Sequence, residues 1–203
     1  MAETIRYDAA EGGRIEADFY PGGAHGVLLA HGKVFDKDSW AELATGLQGA
    51  GYTVLAPNFR GYGESTGDGA PKTYAADVAG GLAALRARGC GPVSVIGGSM
   101  GAIAAAEAAI AGLAGEVALL MLLSPRQMSA PEDLAGGHVA FVVSEDEDCA
   151  ADVRAMYDAC TAEKSLEVYP GAAHAQFLFD SDQAEALNQL IRDRLQAAST
   201  AAA

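Results

Sequence analysis

Cysteine is scarce in this chain. Cys90, Cys149 and Cys160 are the only three in 203 residues, with neither the number nor the spacing of a disulfide framework or a thiolate metal site. If the stretch from Cys149 to Cys160 is helical, those two lie roughly 16 Å apart, beyond the reach of a disulfide. Cations are also few. Thirteen Lys and Arg face 27 Asp and Glu, a formal net charge of -14. That leaves too little positive charge to pair with phosphates, so it disfavours nucleic acid as a partner, and it disfavours an anionic membrane surface. No apolar run approaches the length of a membrane span. The opening "MAETIRYDAAEGG" has no basic or apolar region of a secretory signal, so a cytoplasmic location is expected. Linkers and internal repeats are missing too. The expectation is one domain over residues 1–196, followed by a disordered tail, "AASTAAA", at 197–203.

What the chain does have is half hydrophobic residues and a fifth charged ones, enough for one sizeable core. "TIRYD" and "RIEADFY" alternate around "AAEGG" and predict an N-terminal β-hairpin, Thr4–Asp8 and Arg14–Tyr20. Apolar strands are predicted at "GVLLA", "YTVLAP", "PVSVIGG", "VALLMLLSP", "HVAFVVS" and "KSLEVYP". Helical periodicity lies between them. Trp40, Leu43 and Leu47 mark one helix, with Ser39 and Glu42 at capping-box spacing. Val78, Leu82 and Leu85 mark a second, and Met100–Ala111 a third, rich in alanine. Val153, Met156, Tyr157 and Cys160 mark a fourth. The last has Ser181 as its cap and Leu187, Leu190, Ile191 and Leu195 facing in. Alternating strands and helices predict a mostly parallel, twisted sheet with helices on both faces. Only "PRQMSAPEDLAGG" separates two of the strands, which leaves no room for a large lid.

On such a sheet, sites form at the carboxyl ends of strands. "GGSMG", Gly97–Gly101, puts Ser99 between a predicted strand and a predicted helix. The G-x-S-x-G spacing permits a sharp turn that exposes the hydroxyl, and the helix N-terminus behind it favours developing negative charge. A serine nucleophile needs a base. His25 precedes a strand beside glycines and reads as a surface residue. His138 begins a strand and reads as structural. His31 follows a strand, and His174, in "YPGAAHAQF" after the last strand, is the best-placed base. Between serine and histidine lies "VVSEDED", an acidic turn that can supply the orienting carboxylate.

These pieces together resemble the α/β-hydrolase superfamily. "LLAHG", "NFRGYGEST", "GGSMG", the acidic turn after "FVVS" and "YPGAAH" stand in that family's order from about residue 26 to 175. The chain is most similar to small, lid-poor members related to dienelactone hydrolases and serine-aminopeptidase-like esterases. The resemblance implies an α/β-hydrolase fold, Ser99 as nucleophile and His174 as general base. It implies the backbone N–H of Met100 as one oxyanion donor, and that of Lys33 or Val34 as the other. His31 and Gly32 would shape that loop, and Arg60–Ser65 would line or brace the rim. The family pattern sets its acid three positions beyond a small residue that ends a strand. Counting from Val143 gives Asp146 and counting from Ser144 gives Glu147, with Asp148 a third choice.

The resulting expectation is hydrolysis of a small carboxylic ester through an acyl-enzyme, with no metal and no organic cofactor. A thioesterase, a lactone hydrolase or a small-peptide hydrolase would use the same groups. Serine at position 99 excludes a cysteine nucleophile there, and also the aspartate of a dehalogenase or epoxide hydrolase. A non-catalytic ligand-binding protein is the competing class. The expected partner is a small-molecule ester, with neither nucleic acid nor membrane. The hairpin or an exposed sheet edge leaves room for a homodimer.

Overall fold

A computed structural model describes residues 2–113 and 117–201. Eight strands form one sheet in the order β1-β2-β4-β3-β5-β6-β7-β8. They are β1 (Glu3–Ala9), β2 (Gly13–Tyr20), β3 (Gly26–Ala30), β4 (Thr53–Pro57), β5 (Val93–Gly98), β6 (Leu119–Leu123), β7 (Val139–Ser144) and β8 (Lys164–Tyr169). β1 and β2 are the predicted hairpin, and β2 also runs antiparallel to β4. Every other pairing is parallel. The chain leaves β3 for β4 on one side and then crosses to β5 on the other. A crevice opens where the winding reverses, between the carboxyl ends of β3 and β5.

The central strands β3 to β7 are buried on both faces, and their alternate residues enter two separate cores. Leu28 and Ala30 join Val93, Val95, Leu120 and Leu122 on one face. There they meet α2 (Pro71–Ala87), α3 (Met100–Ile110) and α4 (Ala150–Ala159) through Val78, Leu82, Ala105 and Val153. Val27 and Leu29 join Ile96, Met121 and Val142 on the other face. That face is covered by α1 (Ala41–Gly49) and α5 (Ala184–Ala201) through Leu47, Leu187, Ile191 and Leu195. Helix α3 lies nearest the sheet, where seven of its glycines and alanines are buried. A Cβ on Gly101 would collide with the Ala30 carbonyl, and one on Gly97 would stand 2.6 Å from the Gly101 carbonyl. Small residues here set the depth of the helix rather than its stability. The segment 125–137 holds one short turn, Pro131–Asp133, and Ser129 ties it to Glu107 of α3 at 2.6 and 2.7 Å.

Three local expectations are corrected. The tail does not begin at 197, because α5 continues to Ala201 with Ala198 buried. Ser199 holds it there, its hydroxyl 2.7 Å from the His25 ring. His25 is accordingly not a surface residue: it is 7% exposed, and its other ring nitrogen is 2.8 Å from the Ser94 hydroxyl. Residues 202 and 203 of the expected tail lie outside the described residues. The expected Ser39–Glu42 capping box is also replaced. Asp36 caps a 3-10 turn at Lys37–Trp40 by accepting from the Asp38 N–H, and α1 begins only at Ala41.

Arg60, from the glycine-rich turn after β4, braces the fold. Its side chain and that of Asp77 on α2 are both buried, and they meet at 2.6 and 2.9 Å. The Arg60 backbone N–H donates to the second Asp77 oxygen at 3.0 Å, and the guanidinium also reaches the Ala10 carbonyl at 2.9 Å. One ion pair thus joins the hairpin, α2 and the turn. Removing one member leaves a buried charge with no counter-charge. Asp77→Ala is therefore expected to lower the unfolding free energy by about 3–5 kcal/mol, measured by urea denaturation. A loss under about 1 kcal/mol would place the pair with ordinary surface contacts.

Candidate active site

Three loops meet at the carboxyl ends of β5, β7 and β8. Ser99 follows β5 directly and starts α3. Its φ is 49° and its ψ is -108°, a strained conformation for a residue with a side chain. The Ser99 N–H donates to the Leu123 carbonyl at 2.8 Å, which pins the elbow to the end of β6. His174 follows β8. Its Nε2 stands 2.9 Å from Ser99 Oγ and its Nδ1 2.5 Å from Glu147 Oε2. The imidazole is about a quarter exposed, whereas the glutamate side chain is only 2% exposed. The row therefore runs from a sealed carboxylate to an accessible hydroxyl.

Glu147 is the acid that reaches the ring. Ser144 ends β7, and its N–H donates to Glu147 Oε1 at 2.7 Å. That bond folds the side chain back beneath the turn. The Ser124 hydroxyl donates to the same oxygen at 2.8 Å. The Cys149 thiol donates to Oε2 at 3.4 Å. Asp146 is exposed and is bound into the turn only through its backbone N–H, which donates to the Gly171 carbonyl at 2.9 Å. Asp148 points the other way, into a surface ion pair with Arg126 at 2.9 Å. Of the acids open from the sequence, the structure brings Glu147 to His174 and leaves Asp146 and Asp148 away from it.

Burial pushes the Glu147 carboxyl up. The bonds from His174, the Ser144 N–H and the Ser124 hydroxyl outweigh it and hold the group below the ordinary glutamate range. The neighbouring thiol moves the opposite way. Burial and the Glu147 charge push Cys149 up to about 12, so it stays a protonated donor. Glu147, Cys149 and His174 lie within 4.8 Å of one another. Yet the 2.5 Å between Nδ1 and Oε2 is a hydrogen-bond length, shorter than the roughly 3.3 Å edge between two ligands of a tetrahedral zinc. As arranged, the three groups form a hydrogen-bonded cluster.

On the serine's other side are free backbone donors. Among the described residues, the N–H groups of Met100, Lys33 and Val34 make no hydrogen bond. Met100 opens α3, where the amides carry the helix's positive end. Tyr62, from the same turn as Arg60, donates its hydroxyl to the Lys33 carbonyl at 3.0 Å. The rim around these groups is apolar. Val34 and Phe177 are exposed, and Phe35 packs against Phe177 with ring centroids 5.0 Å apart and the planes tilted by 56°. His31 is fully buried. It bonds to Gly32 and accepts from the Phe59 N–H at 3.1 Å, so it shapes the loop. His138 is bonded to Ser165 at 2.9 Å, away from this cluster. Two hollows elsewhere, one beside Pro92 and His138 and one between α1 and α5, are lined by neither Ser99 nor His174.

A family model described as the alpha/beta hydrolase family matches residues 27–141, more than half of the chain. The chain belongs to the alpha/beta hydrolase family. Solved structures agree on the fold of this hydrolase-family chain. DcsB, solved in complex with a substrate analogue, is 13% identical with a TM-score of 0.84, covering 97% of this chain and 99% of its own. The Pyrococcus furiosus esterase Pf2001 is 16% identical with a TM-score of 0.81, covering 97% and 91%. A thermophilic esterase from Thermogutta terrifontis is 20% identical with a TM-score of 0.75, covering 98% and 99%. No curated protein matches the chain in sequence. Among the described residues, no helix is long and apolar enough to cross a membrane.

Sequence reasoning passed over Ser124, which bridges the acid and the histidine loop. Its hydroxyl also accepts from the Ala175 N–H at 3.0 Å. The available signal was one polar residue closing the apolar run "LLMLLSP". The depressed acid has a consequence for stability. A carboxyl whose folded pKa lies below its unfolded value, 4.5, adds stability that is complete above that pH. It is lost as the pH falls through the folded value. Wild type is therefore expected to lose stability more steeply below pH 4.5 than Glu147→Gln, compared by urea unfolding at a series of acidic pH values. Parallel curves would contradict the assignment.

Proposed function

We propose that the chain hydrolyses small, neutral carboxylic esters by acyl transfer through Ser99, His174 and Glu147. The single observation that carries this reading is the unbroken row from Glu147 Oε2 through both ring nitrogens of His174 to Ser99 Oγ. Glu147 fixes the tautomer with the proton on Nδ1, which leaves Nε2 free to accept the serine proton. Ser99 Oγ attacks the ester carbonyl while Nε2 takes its proton. The negative oxygen is met by the N–H of Met100 and that of Lys33. The imidazolium, stabilised by Glu147, gives its proton to the leaving alkoxide, and the alcohol departs. Water then adds to the acyl-enzyme through the same base and the same donors, and Ser99 leaves with the proton.

The substrate class follows from the rim. Val34, Phe35, Phe177 and Tyr62 offer apolar contact, and the segment 125–137 is bound down onto α3. A short acyl or alkoxy group suits this open, apolar surround. The net charge of -14 disfavours an anionic substrate and assists departure of a carboxylate product. Thioesters and lactones would pass through the same steps, and a substrate series separates them.

The test uses a fluorophosphonate and a set of p-nitrophenyl esters, thioesters and lactones of rising chain length. Wild type is expected to gain one phosphonyl adduct by intact mass, and Ser99→Ala none. Ser99→Ala and His174→Ala are each expected to lower kcat by about 10⁴-fold or more. A folded wild type that takes no label would overturn the serine reading and move a ligand-binding role ahead of it.

A further inference from the structure

Gln176 takes no part in the steps above, yet it touches the loops that carry Lys33, Ser99 and His174. It lies two residues beyond His174 and is 4% exposed. Its Oε1 accepts from the Gly32 N–H at 2.6 Å. Its Nε2 donates to Ser39 Oγ at 2.7 Å, and that hydroxyl donates onward to the Asp36 carbonyl at 2.5 Å. The stem of the side chain lies against Gly98, the residue before Ser99. A Cβ built on Gly98 would come within 3.1 Å of the glutamine Cγ and Oε1. One buried amide therefore joins the ends of β3, β5 and β8.

The contact at Gly32 matters because Lys33 is its neighbour in the chain. Gly32 has no side chain to restrict its backbone. The Lys33 N–H belongs to the next peptide plane, so its direction depends on how Gly32 is held. The Gly32 carbonyl takes the Phe35 N–H at 3.1 Å and faces the His31 ring at 2.9 Å, and both bonds are internal to the loop. From outside, the loop 31–36 is gripped around that plane by Gln176 at the Gly32 N–H, by Tyr62 at the Lys33 carbonyl and by the Phe59 N–H at the His31 ring. The backbone at the glutamine is itself constrained. Ala175 has a φ of 51°, and its N–H is held by Ser124, the residue that also holds Glu147.

We propose that Gln176 is a positioning residue that aims the Lys33 N–H at the developing oxyanion and locks that loop to the histidine loop. It acts through Gly32 and does not touch the substrate. The proposal rests on the reading of Ser99 as nucleophile. Without the glutamine, the Gly32 N–H is buried and unpaired, and the Lys33 amide loses one of its outer restraints. The donor then meets the tetrahedral intermediate poorly, while the ground-state ester, which needs it less, still binds.

The test compares wild type, Gln176→Met and Ser39→Ala. Methionine keeps the length of the side chain and removes both polar ends. Rates are expressed per serine that the fluorophosphonate labels, so that a loss of folded protein does not count. Gln176→Met is expected to lower kcat about 10- to 100-fold, part of the loss seen when an oxyanion donor is deleted. KM for p-nitrophenyl butyrate is expected to stay within about twofold, and inhibition by phenylboronic acid to weaken in step with kcat/KM. The midpoint of the pH–rate profile should not move, because His174 and Glu147 remain in place. Ser39→Ala loosens only the far end of the amide and is expected to lose kcat to a smaller extent. If Gln176→Met does not fold, Ser39→Ala decides alone. A labelled wild type with kcat per serine unchanged in the variants overturns this proposal and leaves the serine reading intact. So does a rise in KM at constant kcat. An unlabelled wild type overturns both.

Discussion

A carboxylate sealed from water would normally be driven toward its neutral form. Glu147 stays charged because its two oxygens receive donors from the histidine ring, a backbone N–H, a serine hydroxyl and a thiol. The positions of His174, Ser124 and Ser144 trace back to this arrangement. Satisfying Oε1 fixes the end of β7 and the end of β6. Satisfying Oε2 fixes the plane of the imidazole, and the imidazole faces the serine. A buried charge tolerates few geometries, so the network transmits order from the interior outward to the half-buried Ser99.

Backbone strain falls along the same line. Four described residues other than glycine have a positive φ, and three of them are Ser99, Ser124 and Ala175. Each costs of the order of 1–3 kcal/mol and persists only where its surroundings dictate it. Here they do. Ser99 is drawn to Leu123, Ser124 to Glu147, and Ala175 to Ser124. The sheet is the rigid frame that holds them. Its central strands β3 to β7 are buried on both faces, and α3 sits deep because Gly97 and Gly101 let it. The crevice at the reversal of winding then places the loop after β3 beside the elbow after β5.

Much of this was legible in the chain. Periodicity located the strands and helices, and the G-x-S-x-G spacing with a histidine after the last strand singled out Ser99 and His174. The acid was not decided, and the reason is local. Asp146 and Glu147 differ by one residue, and the choice depends on whether β7 ends at Val143 or Ser144. That is a matter of sheet register, which pairs Ser144 with Tyr169 of β8. Ser124 and Gln176 were illegible for another reason. Their partners, Glu147 and Gly32, are 23 and 144 residues away, and no local pattern reports such pairs. The last turn of α5 was misread because alanine, serine and threonine carry no apolar stripe. What holds it is Ser199 against His25, 174 residues apart.

That last contact bears on how the chain acquires its structure. One face of the sheet is finished only when α5 lays Leu187, Ile191 and Leu195 across Val27, Ile96 and Met121. During synthesis those strands exist long before the helix that covers them. Until it docks, that face of the sheet is apolar and uncovered. The His25 ring, bridging Ser94 and Ser199, works as a latch on the final element. Strands laid down early in the chain thus have one apolar face completed only by a helix that follows much later, and any form in which that helix is undocked exposes the face to association with other apolar surfaces.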